Sequence, residues 1–375
     1  MITEALVLSE PGAPFKLQKV SLLDTLEPHE CLVRIRATGI CHTDINFASK
    51  ERGMPENFPC ILGHEGAGTV TKTGSAVTNV HPNDAVIITA TSCGDCPYCD
   101  SGHPSYCDTW FQHNFSFSRL DGTQTVSDPR TSRPIKGHFF GQSSFARSII
   151  VHSRALVPIT HPPSFTHLAP LACGVMTGAG TLLNILSPSP QQNILILGCG
   201  TVGLSAIMAC RTLPTPPRRL IAVDTIPARL DLARKYGATH GINATHTPDL
   251  MAALMHITKG RGVDGTIDTT ARPEVVGQAV HATARRGKVV AVGVGGMENE
   301  VRINTFEAVQ AGLSYQGSNQ GDVEPRVFLP WLLGESEEGR FPYRELVREF
   351  PVKDVAKAIK EVKEGRVVKA VLVWD

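Results

Sequence analysis

Residues 193–203 read NILILGCGTVG, a short apolar run followed directly by the pattern Gly-x-Gly-x-x-Gly. A helical stretch continues to about residue 211, and a second apolar run, RLIAVD, occupies residues 219–224. Glycines between a strand and a helix permit a tight turn and let the backbone approach a pyrophosphate, which binds at the positive end of the helix. The sequence therefore predicts a dinucleotide site that includes Gly198, Gly200, Thr201, Val202 and Gly203.

Asp224 ends the second apolar run, about 20 residues after the last glycine of the turn. A carboxylate at this place accepts hydrogen bonds from the 2′-hydroxyl of the adenosine ribose and repels a 2′-phosphate. Asp224 therefore favours NAD over NADP. The alternative is an ordinary aspartate that ends a strand and caps the next helix.

Strand-like and helix-like segments alternate from about residue 193 to residue 294, with further apolar runs at 263–270 and 288–294. This alternation is typical of a doubly wound parallel sheet of the Rossmann type, with helices on both faces. The first third of the chain and its end contain β-rich runs instead, at 31–38, 66–74, 84–90 and 367–375, and a helical run at 352–365. We predict an α/β fold in which the Rossmann domain is inserted in a β-rich domain.

Residues 93–107 read CGDCPYCDSGHPSYC, which places four cysteines in the pattern C-x2-C-x2-C-x7-C. Four thiolates this close satisfy tetrahedral Zn²⁺ and leave no open position, so Cys93, Cys96, Cys99 and Cys107 predict a structural zinc site. The alternatives are disulfides and a redox-active pair. Disulfides need an oxidising compartment, and the N-terminus lacks the features of a signal peptide. A redox pair does not explain the third and fourth cysteines.

Composition narrows the class of protein. The 375 residues are enough for about two domains, the net charge is +1, and no run of like charges occurs. We therefore expect no nucleic-acid or membrane partner, and no apolar stretch reaches the ~20 residues of a membrane span. Ten cysteines without a secretion signal predict a cytoplasmic protein with metal or thiol roles.

Three further segments carry residues that bind zinc: GICHTD at 39–44, GHEG at 63–66 and LACG at 171–174. Two thiolates and one imidazole would leave the fourth position for water or substrate, as in a catalytic zinc site. Each residue also has a simpler explanation, because Cys41 and Cys173 could be buried small hydrophobes and His64 a core histidine. Spacing alone cannot show that the three segments converge.

The chain resembles the zinc-dependent alcohol dehydrogenases of the medium-chain dehydrogenase/reductase superfamily, most closely the aryl (benzyl-type) and glutathione-dependent types. The resemblance rests on five segments in family order: GICHTD, GHEGAG, CGDCPYCDSGHPSYC, LACGVMTGAG and GCGTVG. It implies a GroES-like catalytic domain over 1–174 and 316–375, with the structural zinc lobe at about 91–110, and a Rossmann NAD domain over 175–315. It also implies two zinc ions per subunit and a homodimer joined through the edges of the Rossmann sheets.

The resemblance assigns roles to individual residues. The catalytic zinc ligands would be Cys41, His64 and Cys173, with Glu65 as a carboxylate that can exchange with zinc-bound water. Asp44 would orient His64, and Thr43 would take the alcohol proton. The remaining cofactor contacts would come from His42, Thr177, Arg229, Val292, Val294 and Lys369, of which His42 and Lys369 would hold the pyrophosphate. The substrate pocket would include Thr89, Phe139 and Phe140.

The implied activity is reversible oxidation of a primary alcohol to the aldehyde with NAD. The aromatic-rich segment 108–148 favours a bulky or aryl alcohol, although its aromatic residues could equally pack the lobe against the core. Many family members carry a histidine where this chain has Asn46, so the terminal proton acceptor stays open. The alternatives are a superfamily reductase of C=C or C=N bonds, a polyol dehydrogenase, and a non-enzymatic protein that retains the fold.

Overall fold

A computed structural model describes residues 1–296 and 298–374. Its strands are β1 (Ile2–Leu8), β2 (Lys16–Leu22), β3 (Glu30–Gly39), β4 (Cys60–Ile61), β5 (Gly66–Thr73), β6 (Ala85–Ile88), β7 (Val126–Ser127), β8 (Pro134–Ile135), β9 (Ser148–His152), β10 (Leu156–Pro158), β11 (Asn193–Leu197), β12 (Arg219–Asp224), β13 (His240–Asn243), β14 (Val263–Asp268), β15 (Thr283–Ala291), β16 (Ser314–Gly317), β17 (Val347–Pro351) and β18 (Lys369–Val373).

The α-helices are α1 (His42–Phe47), α2 (Pro97–Asp100), α3 (Trp110–Phe115), α4 (Phe165–Leu168), α5 (Gly174–Gly180), α6 (Thr201–Ala209), α7 (Pro227–Lys235), α8 (Leu250–Ile257), α9 (Pro273–His281), α10 (Thr305–Ala311), α11 (Pro325–Glu337) and α12 (Val355–Lys363). A π-helix, Thr181–Leu186, continues α5. Short 3₁₀ helices cover Pro55–Asn57, Pro104–Tyr106, Phe139–Gly141, Ser153–Ala155, Ala169–Ala172, Cys210–Thr212, Tyr343–Leu346 and Val352–Asp354.

The chain divides into two compact units. The first contains Met1–Cys173, Glu324–Pro330 and the chain from Arg344 onward, and the second contains Gly174–Val323 and Trp331–Tyr343. The second unit therefore extends beyond the predicted return at residue 316. The physical reason is β16, which pairs with β15 and keeps the chain in the second unit through Gly317.

The first unit is β-rich, and β3 is its central strand. Its middle residues alternate between the core and solvent: Val33 and Ile35 are fully buried while Arg34 and Arg36 are exposed, as expected where one face lies on the core. One sheet has the order β10-β6-β5-β3-β18-β17, with β9 also paired to β3, and a second sheet has the order β4-β1-β2-β7-β8. The hydrophobic core lies along these strands and includes Leu6 and Phe145.

The second unit contains one parallel sheet with the order β13-β12-β11-β14-β15-β16. Its strands are numbered along the chain from β11, so this order is 3-2-1-4-5-6, the doubly wound arrangement in which a dinucleotide binds where the order reverses. All five residues of β11 are buried, as expected for a strand covered on both faces. The predicted fold class, a doubly wound parallel sheet of the Rossmann type inserted in a β-rich domain, is confirmed.

Within the described ranges, no single helix is long and apolar enough to cross a membrane. One bent pair of short helices, Phe165–Ala172 with Gly174–Leu186, meets the criteria of length and composition when the two are taken together.

Candidate functional site

The first unit brings together the three segments that the sequence leaves far apart. Cys41 lies directly before α1, His64 and Glu65 lie between β4 and β5, and Cys173 follows the 3₁₀ helix Ala169–Ala172. One ligand atom from each of Cys41, His64, Glu65 and Cys173 lies within 4.8 Å of the others. This set, which we call the Cys41 cluster, offers two sulfurs, one imidazole and one carboxylate to a common centre.

Asp44 ties two segments of this cluster together. Its Oδ1 accepts hydrogen bonds from Nδ1 of His64 and the backbone N–H of Gly63, each at 3.0 Å, and its Oδ2 accepts one from the N–H of Cys41 at 3.0 Å. The side chain of Asp44 is buried. This carboxylate therefore orients the imidazole and requires a proton on Nδ1, which leaves Nε2 as the lone-pair nitrogen.

The chemistry of the donor set fits a zinc ion. Nε2 of His64 is buried and has no hydrogen-bond partner among the described residues, an arrangement that is costly unless something binds there. The hydrogen bond between Cys173 and Cys41 holds the pKa of Cys41 well below its ordinary value despite burial, and the same bond raises the pKa of Cys173, so one proton is shared by the two sulfurs. Because thiolate is the metal-binding form of cysteine, the cluster presents the ligand types that Zn²⁺ prefers.

Glu65 forms a buried ion pair with Lys369. Nζ of Lys369 lies 2.8 Å from both carboxylate oxygens and also donates to the carbonyl of Ile40 at 3.2 Å. Burial raises the pKa of Glu65, and the ammonium opposes that rise. Gly39 makes room for this pair, because a Cβ there would overlap Oε2 of Glu65.

Lys369, which the resemblance assigns to the pyrophosphate, lies beside the Cys41 cluster. It is 2% exposed and bonds Glu65, while its contact with a pyrophosphate stays a prediction. The cause is the pairing of β18 with β3, in which the N–H of Ile40 donates to the carbonyl of Ala370 at 2.9 Å and places Lys369 beside Glu65. His42 is the first residue of α1 and is exposed.

The four cysteines of the 93–107 segment also surround one point, with their sulfurs within 4.8 Å of one another. The Cys93 Sγ–Cys107 Sγ distance is 3.4 Å and the Cys93 Sγ–Cys99 Sγ distance is 3.9 Å. Tetrahedral ligands at a Zn–S distance of about 2.3 Å are roughly 3.8 Å apart. The cysteines are all free, so the geometry suits a metal and not a disulfide.

The glycine turn of the second unit has the features of a pyrophosphate site. Gly198 adopts φ +88°, a conformation that favours glycine, and a Cβ on Gly203 would overlap the carbonyl oxygen of Gly198. A Cβ on Gly200, by contrast, would meet nothing within 4 Å, so open space lies over the start of α6. The turn packs tightly against its own helix and leaves room for a ligand where the N–H groups of Thr201 and Val202 begin that helix.

Asp224 ends β12 beside this turn. Its Oδ2 accepts a hydrogen bond from the N–H of Cys199 at 2.7 Å, and its Oδ1 accepts one from the N–H of Ile226 at 2.9 Å. Nε of Arg229 is buried without a hydrogen-bond partner among the described residues, and the charge of this residue acts on Cys199. The carboxylate and the guanidinium thus both lie near the turn that would hold a dinucleotide.

Three more predicted cofactor residues, Thr177, Val292 and Val294, also lie in the second unit and differ in burial. Thr177 is buried in α5, and Val292 donates its N–H to the carbonyl of Asp268 at 2.9 Å directly after β15. Val294 is 83% exposed.

Aromatic rings surround His64. The Phe140 ring stacks on the imidazole with centroids 4.5 Å apart and planes at 24°, and the Phe139 ring meets it edge-on at 5.7 Å. Phe139 is 0% exposed and also contacts Phe47, at a centroid distance of 5.0 Å. Thr89 is buried, and its hydroxyl donates to the carbonyl of Ala155 at 3.2 Å.

Sequence reasoning missed Phe47, which stacks on Phe115, and Gln142, whose side chain reaches the carbonyl of His64. Phe47 lies three residues after the first ligand segment, GICHTD at 39–44, so a place near the aromatic rings around His64 could have been suspected. No sequence signal marks Gln142.

Two family models match the chain: the alcohol dehydrogenase GroES-like domain over residues 27–161 and the zinc-binding dehydrogenase over residues 201–333. A geraniol dehydrogenase of Castellaniella defragrans is 33% identical over 99% of this chain and 97% of its own length. An S-(hydroxymethyl)glutathione dehydrogenase of Escherichia coli is 31% identical over 99% and 100%. Among solved structures, the benzyl alcohol dehydrogenase of Acinetobacter calcoaceticus has 32% identity and a TM-score of 0.93, with both chains fully covered.

Proposed function

Since the chain belongs to the zinc-dependent alcohol dehydrogenases of the medium-chain dehydrogenase/reductase superfamily, we propose that it reversibly oxidises a bulky or aryl primary alcohol to the aldehyde with NAD. The observation that carries the proposal is the Cys41 cluster, in which the unpaired Nε2 of His64 faces two sulfurs and the ring itself is stacked on Phe140. A metal-ligand set and an aromatic wall thus meet at one residue.

Cys41, His64 and Cys173 would hold the catalytic zinc, and the four cysteines of the 93–107 segment would hold the structural one. When bound, the catalytic zinc supplies a Lewis acid that lowers the pKa of an alcohol, and NAD supplies the hydride acceptor. Thr43 supports this assignment, because its hydroxyl lies 3.6 Å from Sγ of Cys41 and could relay the proton of an alcohol held there, accepting it while passing its own proton onward. Asp44 keeps the imidazole of His64 in the tautomer that binds metal.

Glu65 would act close to the metal without being a permanent ligand. Its carboxylate is one of the four ligand groups of the Cys41 cluster, yet both of its oxygens are held by Lys369. The ammonium offsets the cost of burying a carboxylate in this place. Glu65 is therefore available to exchange with a metal-bound water while its charge stays paired.

The choice of NAD rests on Asp224. Its carboxylate lies at the end of β12 beside the glycine turn and is held there by two backbone N–H groups. A 2′-phosphate at this place would meet a negative charge, whereas two ribose hydroxyls would meet an acceptor. Arg229, whose Nε is buried without a hydrogen-bond partner among the described residues, would be a second contact of the dinucleotide beside this turn.

The substrate class rests on the aromatic rings around His64 and on the relatives. A wall that includes Phe140, Phe115 and Phe47 favours an apolar substrate with a flat or bulky group over ethanol. The relatives named above are described as acting on geraniol, benzyl alcohol and a glutathione adduct. Benzyl alcohol and geraniol fit the apolar wall better than the charged glutathione adduct.

Metal analysis combined with a substrate panel tests the proposal. Protein purified without chelator should contain two zinc ions per chain and should reduce NAD with benzyl alcohol or geraniol at a kcat/KM at least tenfold above that for ethanol. A polyol or S-hydroxymethylglutathione as the best substrate would overturn the substrate class. One zinc per chain and no turnover would overturn the enzymatic proposal.

We further propose that two copies of the chain form a homodimer in which their Rossmann sheets pair edge to edge. We also propose that the protein is cytoplasmic. β16 is the outermost strand of its sheet, and all four of its residues are exposed. Phe306 and Val309 of the neighbouring α10 are also exposed, at 72% and 78%. An exposed edge strand beside apolar side chains is a favourable surface for strand pairing. Light scattering after size-exclusion chromatography should give twice the chain mass, and a Val309→Asp variant should shift it toward one chain mass.

A further inference from the structure

The segment His138–Ser143, which we call the aromatic loop, has an unusual backbone. His138, Phe140 and Ser143 adopt φ values of 58°, 52° and 55°, and Gly141 adopts 68°. The left-handed region is unfavourable for residues with a side chain, and such conformations persist only where the surrounding contacts enforce them. Something must therefore hold this loop in place.

Gln142 makes the hydrogen bonds that hold the loop on the side of the Cys41 cluster. Its Nε2 lies 3.1 Å from the carbonyl oxygen of His64, 3.2 Å from that of Ile88 and 3.3 Å from that of Thr89. Its Oε1 accepts a hydrogen bond from the N–H of Gly66 at 3.1 Å. The side chain is buried, so each of these bonds forms in a low-dielectric environment and is costly to lose.

Ser143 holds the other side of the loop. Its hydroxyl donates to the carbonyl of Ile61 at 2.6 Å and accepts from the N–H of Phe139 at 2.9 Å. These bonds attach the loop to β4 and do not reach the metal-ligand residues. The side chain of Gln142 instead spans Glu65, since it binds the carbonyl of His64 and the N–H of Gly66 two residues later.

His64 is consequently held from two directions. Asp44 fixes Nδ1 of the ring and the N–H of the preceding Gly63. The aromatic loop fixes the face of the ring and the carbonyl of His64, because Phe140 stacks on the ring while Gln142, two residues later, binds that carbonyl. A shift of this loop would move the ring contact and the backbone contact together.

We propose that Gln142 is a positioning residue that holds the aromatic loop against His64 and so fixes both the metal-ligand imidazole and the aromatic wall. The inference deepens the proposed function and rests on it for the identity of the metal. Gln142 acts through His64 and Phe140.

The test compares metal release from Gln142→Met and from Gln278→Met. Methionine preserves the length of the side chain and removes its polar atoms. Gln278 is the matched control, since its Oε1 also accepts a backbone N–H, that of Leu250 at 2.7 Å, and since it lies in α9 of the second unit, whereas the Cys41 cluster lies in the first. Zinc transfer to a chromophoric chelator is followed in time, and a Cys41→Ala variant identifies the phase that belongs to the Cys41 cluster.

Removing a residue that orients a metal ligand typically costs 10–100-fold in metal affinity. Gln142→Met should therefore accelerate release from the Cys41 cluster by about that factor, while release from the four-cysteine site stays as in the wild type. Gln278→Met should change neither phase. If Gln142→Met does not fold, Gln142→Asn replaces it, because the shorter amide cannot span His64 and Gly66 and should give the same ratio of the two phases.

Two results would overturn the inference alone: unchanged release from the Cys41 cluster, or equal acceleration at both sites, which would indicate a general loss of stability. A wild-type protein with zinc only in the four-cysteine site would overturn the proposed function and the inference together. The number of release phases in the wild type distinguishes these failures.

Discussion

Replacing Asp44 by asparagine should weaken metal binding at the Cys41 cluster and leave the four-cysteine site unchanged. The carboxylate accepts three hydrogen bonds at 3.0 Å, from His64, Gly63 and Cys41. An amide of the same shape has one acceptor oxygen, so whichever way it turns, an NH₂ group faces at least one of these N–H donors.

The magnitude follows from these three bonds. One buried N–H left without an acceptor costs about 1–3 kcal/mol. The remaining bonds to a neutral amide are roughly half as strong as those to a carboxylate. Only part of this loss is expressed in metal affinity, because the same bonds stabilise the fold without metal. We therefore expect zinc affinity to fall 10–100-fold, which is about 1.4–2.7 kcal/mol.

Competition with a chromophoric chelator of known affinity measures this change at both sites. Asp84→Asn is the matched control, because Asp84 also accepts a backbone N–H, that of His81 at 2.7 Å, in an exposed turn away from the cluster. Equal affinity in Asp44→Asn and the wild type would refute the reasoning. Equal weakening at both sites would also refute it, since the hydrogen bonds of Asp44 reach only the Cys41 cluster.

Three further predictions follow from single residues. Asp224→Asn should lower the ratio of kcat/KM with NAD to kcat/KM with NADP by at least tenfold, because a charge-assisted hydrogen bond is worth about 1.5–3 kcal/mol. Asp249→Asn, which changes the N-cap of α8, is the control and should leave the ratio unchanged. An unchanged ratio in Asp224→Asn would contradict the prediction. Burial lowers the pKa of His138 from 6.5 to about 4, so the unfolded chain binds more protons between these values and the free energy of unfolding decreases as the pH falls through that window. From pH 7 to 5 the wild type should lose about 2 kcal/mol more unfolding free energy than His138→Asn, measured in urea, and equal losses would argue against a neutral buried imidazole. Phe140→Leu should lower kcat/KM for benzyl alcohol roughly two- to tenfold more than for ethanol, given about 0.5–1.5 kcal/mol for an aromatic pair, and a parallel loss for both alcohols would show that Phe140 does not select substrate.

The sequence predicts the elements of this fold where local pattern and burial agree. The run RLIAVD has the bounds of β12, and NILIL has those of β11, because both are covered on two faces and read as continuous apolar segments. β15 is different, since it begins at Thr283 and not at 288. Its first residues include Arg285 and Arg286, which resemble a loop, and Arg286 adopts φ +59° where the register with β14 shifts.

The candidate site also contains residues that the sequence predicts and residues that it does not. The four-cysteine set is recognisable from spacing because all of its ligands lie within residues 93–107 and can converge locally. The convergence of Cys41, His64 and Cys173 depends on long-range packing, so residue types and resemblance suggest it without any local pattern that requires it. Gln142 could not be predicted, since its partners are backbone groups of residues 64–89, which carry no sequence signature.

Charge balance explains why Lys369 lies beside Glu65. Two thiolates in the Cys41 cluster would be neutralised by a divalent ion, which leaves the carboxylate of Glu65 without a counter-charge in a buried place. An unpaired buried charge is costly, whereas a paired one is tolerated. Lys369 supplies the pairing at 2.8 Å to both oxygens. The ammonium of Lys369 carries three N–H donors, so its pairing with Glu65 does not by itself prevent a contact with a pyrophosphate, and that role stays a prediction. In this chain Lys369 therefore offsets the buried charge of Glu65 beside the metal-ligand residues.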